Sequence, residues 1–392
     1  MSYKAPISPL PPMGWNSYCT VNCDPSEKLL LDAADALCDL GLRDAGYVYV
    51  NLDDGWLEKE RNANGEIVSR DAIFPHGMKY VTDYIHSKGL KAGTYLGCGF
   101  TTWNGDAGSL GHEYEDARKI AEWGFDYLKY DRHPVESDPP RDTMSEYLKM
   151  GMAIRDCGRD IVYNLCEHGT TKPWLWASVC GSLWRIGKDV RDCFSSENTG
   201  CLGILDIIDR FIAEAAPYSH LGGFNDPDML VVGMGGEGNV SHTGGCTDEE
   251  YLMHFSLWCL WGTPLMMGAD IRNVNEYCRS VMLNRELIAL NQDPDARAPF
   301  YEEKQRYASK ARMGLLKFLA NGEIVIAYYN FDINPLQVLL YFDDYGIPGG
   351  SNYGLELTDI LTGENIGVKF DCYNPTLPGR SFKIYKAKFV ER

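Results

Sequence analysis

The sequence predicts a (β/α)₈ barrel, a TIM barrel, followed by a C-terminal antiparallel β-sandwich domain. Eight short apolar, strand-like runs alternate with amphipathic helical stretches, and this alternation stops near residue 294. Strands that alternate with helices form parallel sheets through right-handed crossovers, and eight such strands close a barrel. A barrel takes about 250 residues, so a chain of 392 leaves room for a second domain. We place the barrel at residues 1–297 and the antiparallel domain at residues 298–392.

The predicted barrel elements come in order along the chain. The strand-like runs lie near residues 12–18, 47–53, 90–97, 125–131, 161–167, 182–186, 220–225 and 264–269. The helical stretches between most of them cover 26–40, 78–88, 114–123, 143–156, 204–216 and 248–261. Helix-terminating signals support these limits, because Ser26 can cap an N-terminus and glycines follow three helices, at Gly41, Gly89 and Gly124. The stretch 193–203 has loop character, so in the sixth strand–helix unit the helix over 204–216 is expected to begin late.

A different pattern follows Asn291-Gln292-Asp293-Pro294. Short alternating runs are separated by clusters of Gly, Pro, Asn and Asp, and they lie at 314–318, 323–330, 337–342 and 382–389. Runs of this kind are typical of an antiparallel β-domain.

Carboxylates stand at the ends of four of the barrel runs, namely Asp131, Asp53 with Asp54, Glu167 and Asp189. The C-terminal ends of barrel strands meet at one face, and enzymes of this fold have their active sites there. We therefore interpret these carboxylates as functional groups, not as solvating surface charges.

The charge and hydropathy of the chain restrict the class of partner. A formal net charge of -18 disfavours nucleic acids and anionic membranes, since both would be repelled at long range. No run approaches the roughly 20 apolar residues of a membrane span, and the N-terminal residues lack the apolar core of a signal peptide. We expect no nucleic-acid partner, no membrane partner and a cytoplasmic location.

Thirteen cysteines are scattered through predicted strands and helices. An odd number without a signal peptide favours free thiols in a reducing compartment over a disulfide framework. A zinc site needs clustered ligands at short spacings, but Cys19 with Cys23 has no matching second pair, and Cys166 with His168 stands alone in the sequence. We interpret Cys166 as a pocket-wall thiol beside an exposed imidazole, and we expect no metal and no other cofactor.

Short motifs run in order through nearly the whole chain. They include Met13-Gly14-Trp15-Asn16-Ser17, Asp53-Asp54-Gly55-Trp56, Leu128-Lys129-Tyr130-Asp131, Cys166-Glu167, Trp184-Arg185 and Asn225-Asp226-Pro227-Asp228. Together they resemble glycoside hydrolase family 27, the α-galactosidases and α-N-acetylgalactosaminidases. The family pattern also includes a C-terminal antiparallel β-sandwich, in agreement with the domain predicted above.

The resemblance implies a retaining, exo-acting α-galactosidase that removes terminal α-linked D-galactose from oligosaccharides or glycoconjugates by double displacement. It assigns Asp131 as the nucleophile and Asp189 as the general acid/base. By the same resemblance, the substrate-binding residues are Tyr18, Asp53, Asp54, Tyr95, Lys129, Cys166, Glu167, Arg185 and Asp228. The expected partner is a small carbohydrate with a terminal α-galactosyl group, and a homo-oligomer is compatible with the sequence.

A retaining glycosidase requires two carboxyl groups about 5–5.5 Å apart, one ionised for attack at the anomeric carbon and one protonated for the leaving oxygen. Lys129 points to the same side of its predicted strand as Asp131, so its ammonium would favour the ionised nucleophile. Asp189 lies in a loop beyond its strand, where the leaving group and water have access. Asp192 is close enough in sequence to be the acid instead, and this alternative stays open.

The resemblance also bears on the sugar. Asp53 and Asp54 resemble the family pair that holds the C4 and C6 hydroxyls, which requires a bend that turns both toward the pocket. Glu167 favours a free hydroxyl on C2 over an acetamide, and Asp53 leaves room for a C6 hydroxymethyl group. We predict galactose, with action on α-N-acetylgalactosaminides or β-L-arabinopyranosides as alternatives. A catalytically silent galactose-binding protein would lack a catalytic carboxylate, but both Asp131 and Asp189 are present.

Several positions depart from the family pattern. Gly55 and His133 stand where cysteines are common, so two customary disulfides cannot form. Tyr18 and His168 occupy positions where many relatives carry tryptophan. Arg132, His133 and His168 make the rim of the pocket more polar, which predicts an unusual aglycone.

Overall fold

The structure, a computed structural model, describes residues 7–133, 142–196, 201–238, 244–301 and 311–391. The chain separates into two compact units. One unit contains the residues up to Cys246 together with Thr263–Leu283, and the other contains Thr247–Gly262 together with Asn284–Arg392.

The first unit is built on a parallel sheet of eight strands. They are β1 (Met13–Asn16), β2 (Tyr49–Asn51), β3 (Lys91–Gly97), β4 (Tyr127–Asp131), β5 (Val162–Cys166), β6 (Leu183–Arg185), β7 (Phe224–Asp226) and β8 (Leu265–Met267). The strands pair in chain order, and β1 also pairs with β8. Leu230, which follows β7, connects the two edge strands β7 and β8. Its N–H donates to the Met266 carbonyl and its carbonyl accepts from the Gly268 N–H, both at 2.8 Å. The predicted barrel is confirmed.

Helices lie between most of these strands and after the last one. They are α1 (Tyr18–Val21), α2 (Glu27–Asp39), α3 (Gly77–Ser87), α4 (Glu113–Trp123), α5 (Thr143–Asp156), α6 (Asp206–Arg210), α7 (Asp248–Trp261), α8 (Glu276–Met282) and α9 (Arg285–Asn291). Ser26 caps α2 by accepting a hydrogen bond from the Leu29 N–H at 3.3 Å, and Gly124 ends α4 in the left-handed conformation. The predicted helix limits therefore hold for α2, α3, α4, α5 and α7 to within about two residues.

The sixth helical segment differs from the single helix predicted over 204–216. After α6, a π-helical turn covers Phe211–Ala215 and a 3₁₀ turn covers Ala216–Tyr218. Pro217 has no N–H to donate, so a regular α-helix cannot continue through it. The loop character of the preceding stretch is confirmed where the structure describes it, at residues 193–196 and 201–203.

The register of the central strands positions the catalytic face. Gly97 at the end of β3, Asp131 at the end of β4 and Cys166 at the end of β5 lie side by side. One step earlier along the same face, Tyr95 pairs with Lys129. Because neighbouring parallel strands in register direct paired side chains to the same side, these residues reach one shared space.

The second unit contains two antiparallel sheets. The larger has the strand order β14-β13-β16-β11-β10-β9 and the smaller pairs β12 with β15. The strands are β9 (Phe300–Tyr301), β10 (Arg312–Phe318), β11 (Ile324–Asn330), β12 (Leu336–Gln337), β13 (Tyr353–Asp359), β14 (Asn365–Phe370), β15 (Thr376–Leu377) and β16 (Ser381–Glu391). Leu316 and Ile326 from the larger sheet share a core with Val338 and Leu377. The predicted antiparallel C-terminal sheets are confirmed.

Three details of this unit differ from the sequence prediction. The run 337–342 contributes only its first residue to β12, and a 3₁₀ turn begins at Phe342. The hairpin of β13 and β14 was not predicted, because glycines at positions 354 and 367 weaken its strand pattern. By contacts, α7 and α9 belong with these sheets and not with the barrel.

After an acidic first turn, helix α7 is largely apolar around its circumference, and ten of its fourteen residues are buried. A helix of this composition requires burial all round. Near its C-terminal end the Leu260 carbonyl accepts a hydrogen bond at 3.0 Å from Nζ of Lys317, a residue of β10 that is 1% exposed. Burial lowers the pKa of Lys317 to about 8. Within the described part of the chain, no helix has the length and apolar character needed to cross a bilayer.

Candidate active site

A cavity of about 250 Å³ opens at the C-terminal ends of the barrel strands. Nine of the eleven predicted site residues line this cavity, namely Tyr18, Asp53, Asp54, Tyr95, Lys129, Asp131, Arg185, Asp189 and Asp228. Six strands or the loops after them deliver these side chains to one place, because the C-terminal ends of parallel barrel strands meet at one face.

Asp131 is the last residue of β4, and its side chain is 7% exposed. Oδ2 accepts a hydrogen bond from the hydroxyl of Tyr95 at 3.3 Å. Oδ1 is buried and has no hydrogen-bond partner among the described residues. A carboxylate with one anchored oxygen and one unpartnered oxygen has the arrangement that a nucleophile requires, since the second oxygen keeps its lone pairs for the electrophile.

Lys129 lies two residues before Asp131 on β4, and its ammonium is enclosed on several sides. Nζ donates to Oδ2 of Asp53 at 2.9 Å and lies 5.5 Å and 5.4 Å from the ring centroids of Tyr18 and Tyr95. Burial alone would lower the pKa of Lys129, but nearby carboxylates, led by Asp53, raise it well above its ordinary value. Lys129 is therefore a permanent cation at the base of the cavity.

Asp53 and Asp54 both reach the cavity because the chain bends directly after β2. The bend requires glycine at position 55, which has φ of 95° and where a Cβ would lie 2.2 Å from the Cys23 carbonyl oxygen. Asp53 is 1% exposed, and its Oδ2 accepts from the Asn16 amide at 2.8 Å as well as from the Lys129 ammonium. The predicted bend is thus present in the structure.

Asp54 is held by backbone amides. Oδ1 accepts from the Gly55 N–H at 2.7 Å and Oδ2 from the Asn104 N–H at 2.9 Å. Burial raises the pKa of Asp54 to about 6, although these hydrogen bonds lower it. A carboxyl group fixed in this way can present its remaining acceptor positions to a sugar hydroxyl in one defined direction.

Arg185, at the end of β6, links two carboxylates across the cavity. Its Nη2 donates to Oδ1 of Asp189 at 3.0 Å, and its Nη1 lies 3.1 Å from Oδ1 of Asp228. Burial raises the pKa of Asp228, and Arg185 partly offsets this. Burial would also raise the pKa of Asp189, but the charges of Arg185, His168 and Lys129 outweigh it and hold that pKa below its ordinary value.

Asp192 was the alternative to Asp189, and the structure places it elsewhere. It is fully buried, and its two oxygens accept backbone hydrogen bonds from Gly236 at 2.8 Å and Cys246 at 3.2 Å. Asp192 therefore anchors the loop that contains these residues and does not line the cavity. The side chain of Asp189 is 36% exposed and does line it.

Cys166 and Glu167 are the two predicted site residues that do not line the cavity. Cys166 is fully buried at the end of β5, where its Sγ accepts from Nη1 of Arg185 at 3.5 Å. Oε2 of Glu167 is occupied by the hydroxyl groups of Thr170 and Thr171, at 2.6 Å and 3.0 Å, and by the Thr171 N–H at 2.9 Å. Its Oε1 is buried without a hydrogen-bond partner among the described residues.

His168 lies between the two catalytic candidates. Its Nε2 is 3.7 Å from Oδ1 of Asp131 and 3.8 Å from Oδ1 of Asp189. Its φ of 59° is a left-handed conformation that non-glycine residues rarely adopt, and such strain often accompanies functional positions. Sequence reasoning identified His168 as a departure on the rim but could not place it between the carboxylates.

Five further residues line the cavity and were not predicted, namely Cys19, Trp103, Val190, Arg191 and Met229. Trp103 is 51% exposed, and the ring of His133 stacks on it at 3.8 Å between centroids with an interplanar angle of 15°. A signal for Trp103 was available, because it lies in the loop after the third predicted strand and so at the catalytic face.

A second, more open cavity of about 580 Å³ adjoins the first. The two share Trp103, His168 and Asp189, and the second is lined in addition by residues of two loops, including Thr170 and Lys188. A ligand held in the first cavity beside Asp189 can therefore extend into the second.

All thirteen cysteines are free thiols in the structure. Free thiols are what the odd number of cysteines and their scatter along the sequence predict.

Comparison with known proteins agrees with this geometry. The Melibiase_2 family model, described as alpha galactosidase A, matches residues 10–293. An α-galactosidase A of Cellvibrio japonicus is 40% identical over 291 residues, which cover 73% of this chain and 68% of that protein. An α-galactosidase of Coffea arabica is 37% identical over 343 residues, which cover 86% of this chain and 83% of that protein.

A solved structure shows the same architecture along the whole chain. The crystal structure of α-galactosidase I from Mortierella vinacea superposes with a TM-score of 0.88 at 31% identity and covers 98% of both chains. The family match over most of the chain, the relatives and the site geometry agree, and the chain belongs to glycoside hydrolase family 27, the alpha galactosidase A family.

Proposed function

We propose that this glycoside hydrolase is a retaining, exo-acting α-galactosidase that releases terminal α-linked D-galactose by double displacement. The observation that carries the proposal is that Oδ1 of Asp131 and Oδ1 of Asp189 both approach one imidazole nitrogen, Nε2 of His168, at 3.7 Å and 3.8 Å. Two carboxyl groups within one small cavity are the minimum that retaining hydrolysis requires.

In the first step, Oδ1 of Asp131 attacks the anomeric carbon while the bond to the leaving oxygen breaks. Asp189 gives its proton to that oxygen, and the galactosyl group becomes an ester of Asp131. Asp189 is paired with Arg185 in the free protein. In the proposed mechanism Asp189 becomes protonated when the substrate displaces water and accepts hydrogen bonds from Arg185.

In the second step, water attacks the anomeric carbon from the face that the leaving group has vacated. Asp189 accepts the proton of that water, and Asp131 leaves as a carboxylate. The exposed position of Asp189, next to the larger cavity, suits a group that must meet first the leaving group and then water.

The sugar is held mainly by charged groups at the base of the cavity. Asp53, Asp54 and Lys129 supply acceptors and a donor within one small volume, and Tyr18 offers an apolar wall beside them. We assign Asp53 and Asp54 to the C4 and C6 hydroxyls. A volume of about 250 Å³ suits one sugar ring and not an internal segment of a polysaccharide, which supports exo action.

Galactose is favoured over the two alternative sugars. By the family resemblance Glu167 faces the substituent on C2, where its large carboxylate favours a free hydroxyl over an acetamide. In the structure its Oε2 accepts hydrogen bonds from Thr170 and Thr171, and the side chain lies outside the lining of the cavity. Asp53 is one methylene shorter than glutamate and so leaves room for a C6 hydroxymethyl group, and its Oδ2 accepts a hydrogen bond from Lys129 at 2.9 Å. Action on α-N-acetylgalactosaminides or β-L-arabinopyranosides is the second candidate function, with the same mechanism.

The partner in this proposal is a small carbohydrate whose aglycone extends into the second cavity, past Trp103. A cytoplasmic location is part of the proposal, because thirteen free thiols suit a reducing compartment. Formation of a homo-oligomer stays a prediction.

A panel of aryl α-D-galactoside, α-N-acetylgalactosaminide and β-L-arabinopyranoside tests the specificity. We expect kcat/KM for the galactoside to exceed that for each of the others at least about tenfold, because a site built around a hydroxyl rejects analogues without it. A better acetamido sugar or pentose would overturn the choice of sugar and leave the mechanism intact.

Proton NMR of the first sugar released tests the mechanism, since retention predicts α-galactose before mutarotation. First appearance of the β-anomer would contradict double displacement. Galactose binding without turnover of any aryl glycoside would establish the silent binding protein instead.

A further inference from the structure

Three potential metal ligands meet at the ends of β4 and β5. They are a carboxylate oxygen of Asp131, Sγ of Cys166 and an imidazole nitrogen of His168, and these atoms all lie within 4.8 Å of one another. Oδ1 of Asp131 lies 3.7 Å from Nε2 of His168. The register that pairs Asp131 with Cys166 creates the group, and the left-handed turn at His168 brings the imidazole to it.

The carboxylate oxygen in this group is buried and unpartnered. Asp131 is 5% exposed, and its Oδ1 has no hydrogen-bond partner in the part of the chain that the structure describes. A buried carboxylate oxygen without a donor is costly, because its desolvation is not compensated. Nε2 of His168 lies 3.7 Å from this oxygen, so a cation held by both atoms would satisfy it.

The chemistry of the three ligands selects the class of cation. One sulfur, one imidazole nitrogen and one carboxylate oxygen suit a borderline ion such as Zn²⁺, whereas Mg²⁺ and Ca²⁺ prefer oxygen ligands alone. Ligand atoms on a tetrahedral Zn²⁺ lie about 3.5 Å apart, so side-chain adjustments of about 1 Å close the group around an ion. Oδ1 of Asp189, 3.8 Å from the same imidazole nitrogen, can occupy the fourth position.

We propose that Asp131, Cys166 and His168 form a binding site for one Zn²⁺ ion, which reversibly blocks the active site. The ion forms a bond to each of the three atoms, and the thiol proton of Cys166 passes to solvent as the Zn–S bond forms. An ion on Oδ1 of Asp131 occupies the lone pair that would attack the anomeric carbon. The ion is therefore an inhibitor and not a cofactor of the reaction.

The charges around the group are mixed. The Lys129 ammonium and the Arg185 guanidinium oppose a cation, and Arg185 also donates a hydrogen bond to Sγ of Cys166 at 3.5 Å. Burial raises the pKa of the Cys166 thiol well above its ordinary value, and Arg185 offsets this only in part. Asp53 is paired with Lys129, and Arg185 is shared between Asp189 and Asp228. Together with Asp131 these carboxyl groups outnumber the two cations, and this excess attracts the ion.

Isothermal titration of the whole chain with Zn²⁺ measures binding directly. We expect one ion per chain with Kd in the micromolar range, displaced by galactose and removed by EDTA, and no comparable binding of Mg²⁺. His168→Gln and Cys166→Ser should each weaken binding at least about tenfold. Cys157→Ser removes a partly exposed thiol outside the site and should leave Kd within about twofold.

The two site variants and the control together test whether Zn²⁺ binds at Cys166 and His168. Absence of binding up to about 1 mM Zn²⁺, or unchanged binding in both site variants, would overturn the proposal. If Cys166→Ser does not fold, His168→Gln decides alone, because His168 is 23% exposed and a change there need not disturb the core.

The blocking effect rests on the proposed role of Asp131 and is measured separately. Saturating Zn²⁺ should lower kcat/KM for the aryl α-galactoside at least about tenfold, and EDTA should restore it. Bound Zn²⁺ with unchanged activity, or with no competition by galactose, would refute blocking. A chain that hydrolyses no galactoside still reports its metal site in the titration, so failure of the proposed function and failure of this inference are distinguishable.

Discussion

Nζ of Lys129 lies 2.9 Å from Oδ2 of Asp53, although 76 positions separate the two residues in the chain. The side chains are 13% and 1% exposed, so this ion pair is nearly removed from water. A buried pair stabilises little as a pair, but removal of one partner leaves an uncompensated charge. This asymmetry leads to the first prediction.

Lys129→Met should destabilise the folded chain by about 3–5 kcal/mol, because it leaves the buried Asp53 carboxylate with only the Asn16 amide as a side-chain donor. The double variant Lys129→Met, Asp53→Asn should lose less than the sum of the two single variants, with a coupling of about 1–3 kcal/mol. Urea unfolding of the wild type, the two single variants and the double variant gives the double-mutant cycle. Additive losses would show that the two groups do not interact.

Asp131→Asn should abolish turnover and leave galactose affinity within about threefold, because an amide of the same shape is a poor nucleophile. Aryl galactoside hydrolysis and galactose titration give the two measurements. Folding should be unchanged, as circular dichroism can verify. A variant that retains a substantial fraction of kcat would place the nucleophile elsewhere.

Asp189→Ala should slow substrates with poor leaving groups far more than activated aryl galactosides, since acid assistance matters only where the leaving oxygen needs a proton. Azide should restore activity on the activated substrate. Because azide would displace Asp131 from the galactosyl ester, the product should be α-galactosyl azide, with net retention.

Asp192→Ala is the matched control for this prediction. Asp192 anchors Gly236 and Cys246 and does not line the cavity, so its loss should affect all leaving groups alike, and azide should not help. If the leaving-group dependence appears in the Asp192 variant and not in the Asp189 variant, Asp192 is the general acid/base and Asp189 is not.

Lys317→Met should stabilise the protein at pH 7. Burial lowers the pKa of Lys317 from 10.5 to about 8 in the folded state. Below about pH 8 the folded protein must therefore keep a buried ammonium, at a cost of about 3 kcal/mol. The hydrogen bond to the Leu260 carbonyl is lost in the variant and removes about 1 kcal/mol of the gain.

The pH dependence of this effect identifies its cause. Between pH 8 and 10.5 the unfolded chain binds more protons at Lys317 than the folded chain, so the wild-type penalty should shrink as pH rises. The difference in unfolding free energy between variant and wild type should fall accordingly. The control Lys388→Met changes an exposed lysine and should shift stability by no more than about 0.5 kcal/mol. A pH-independent difference would contradict the desolvation argument.

Most of the barrel could be predicted because its signals are local. Helix α5 matches its predicted limits at both ends, since apolar periodicity, an Asp142 cap and the following glycine all lie within one segment. The β13 and β14 hairpin escaped prediction, although its two strands are close in sequence, because glycines at positions 354 and 367 weaken the strand pattern.

The sequence by itself determined the alternation of strands and helices, and it determined that Asp53, Asp54, Asp131 and Glu167 follow strands. These are properties of short runs, in which the period of side-chain burial and the chemistry of the next residue can be read together. The resemblance to a family then supplied roles for these residues.

Only the tertiary structure decided which side chains meet. The parallel register places Cys166 beside Asp131. The imidazole of His168, a residue with positive φ, lies near both Asp131 and Asp189. Trp103 lines the cavity from a loop that has no strand pattern. The structure also shows that Glu167 accepts a hydrogen bond from the neighbouring Thr170 and that Asp192 accepts one from the Gly236 backbone. Such contacts depend on the pairing of strands distant in sequence and on side-chain direction, and neither has a local signal.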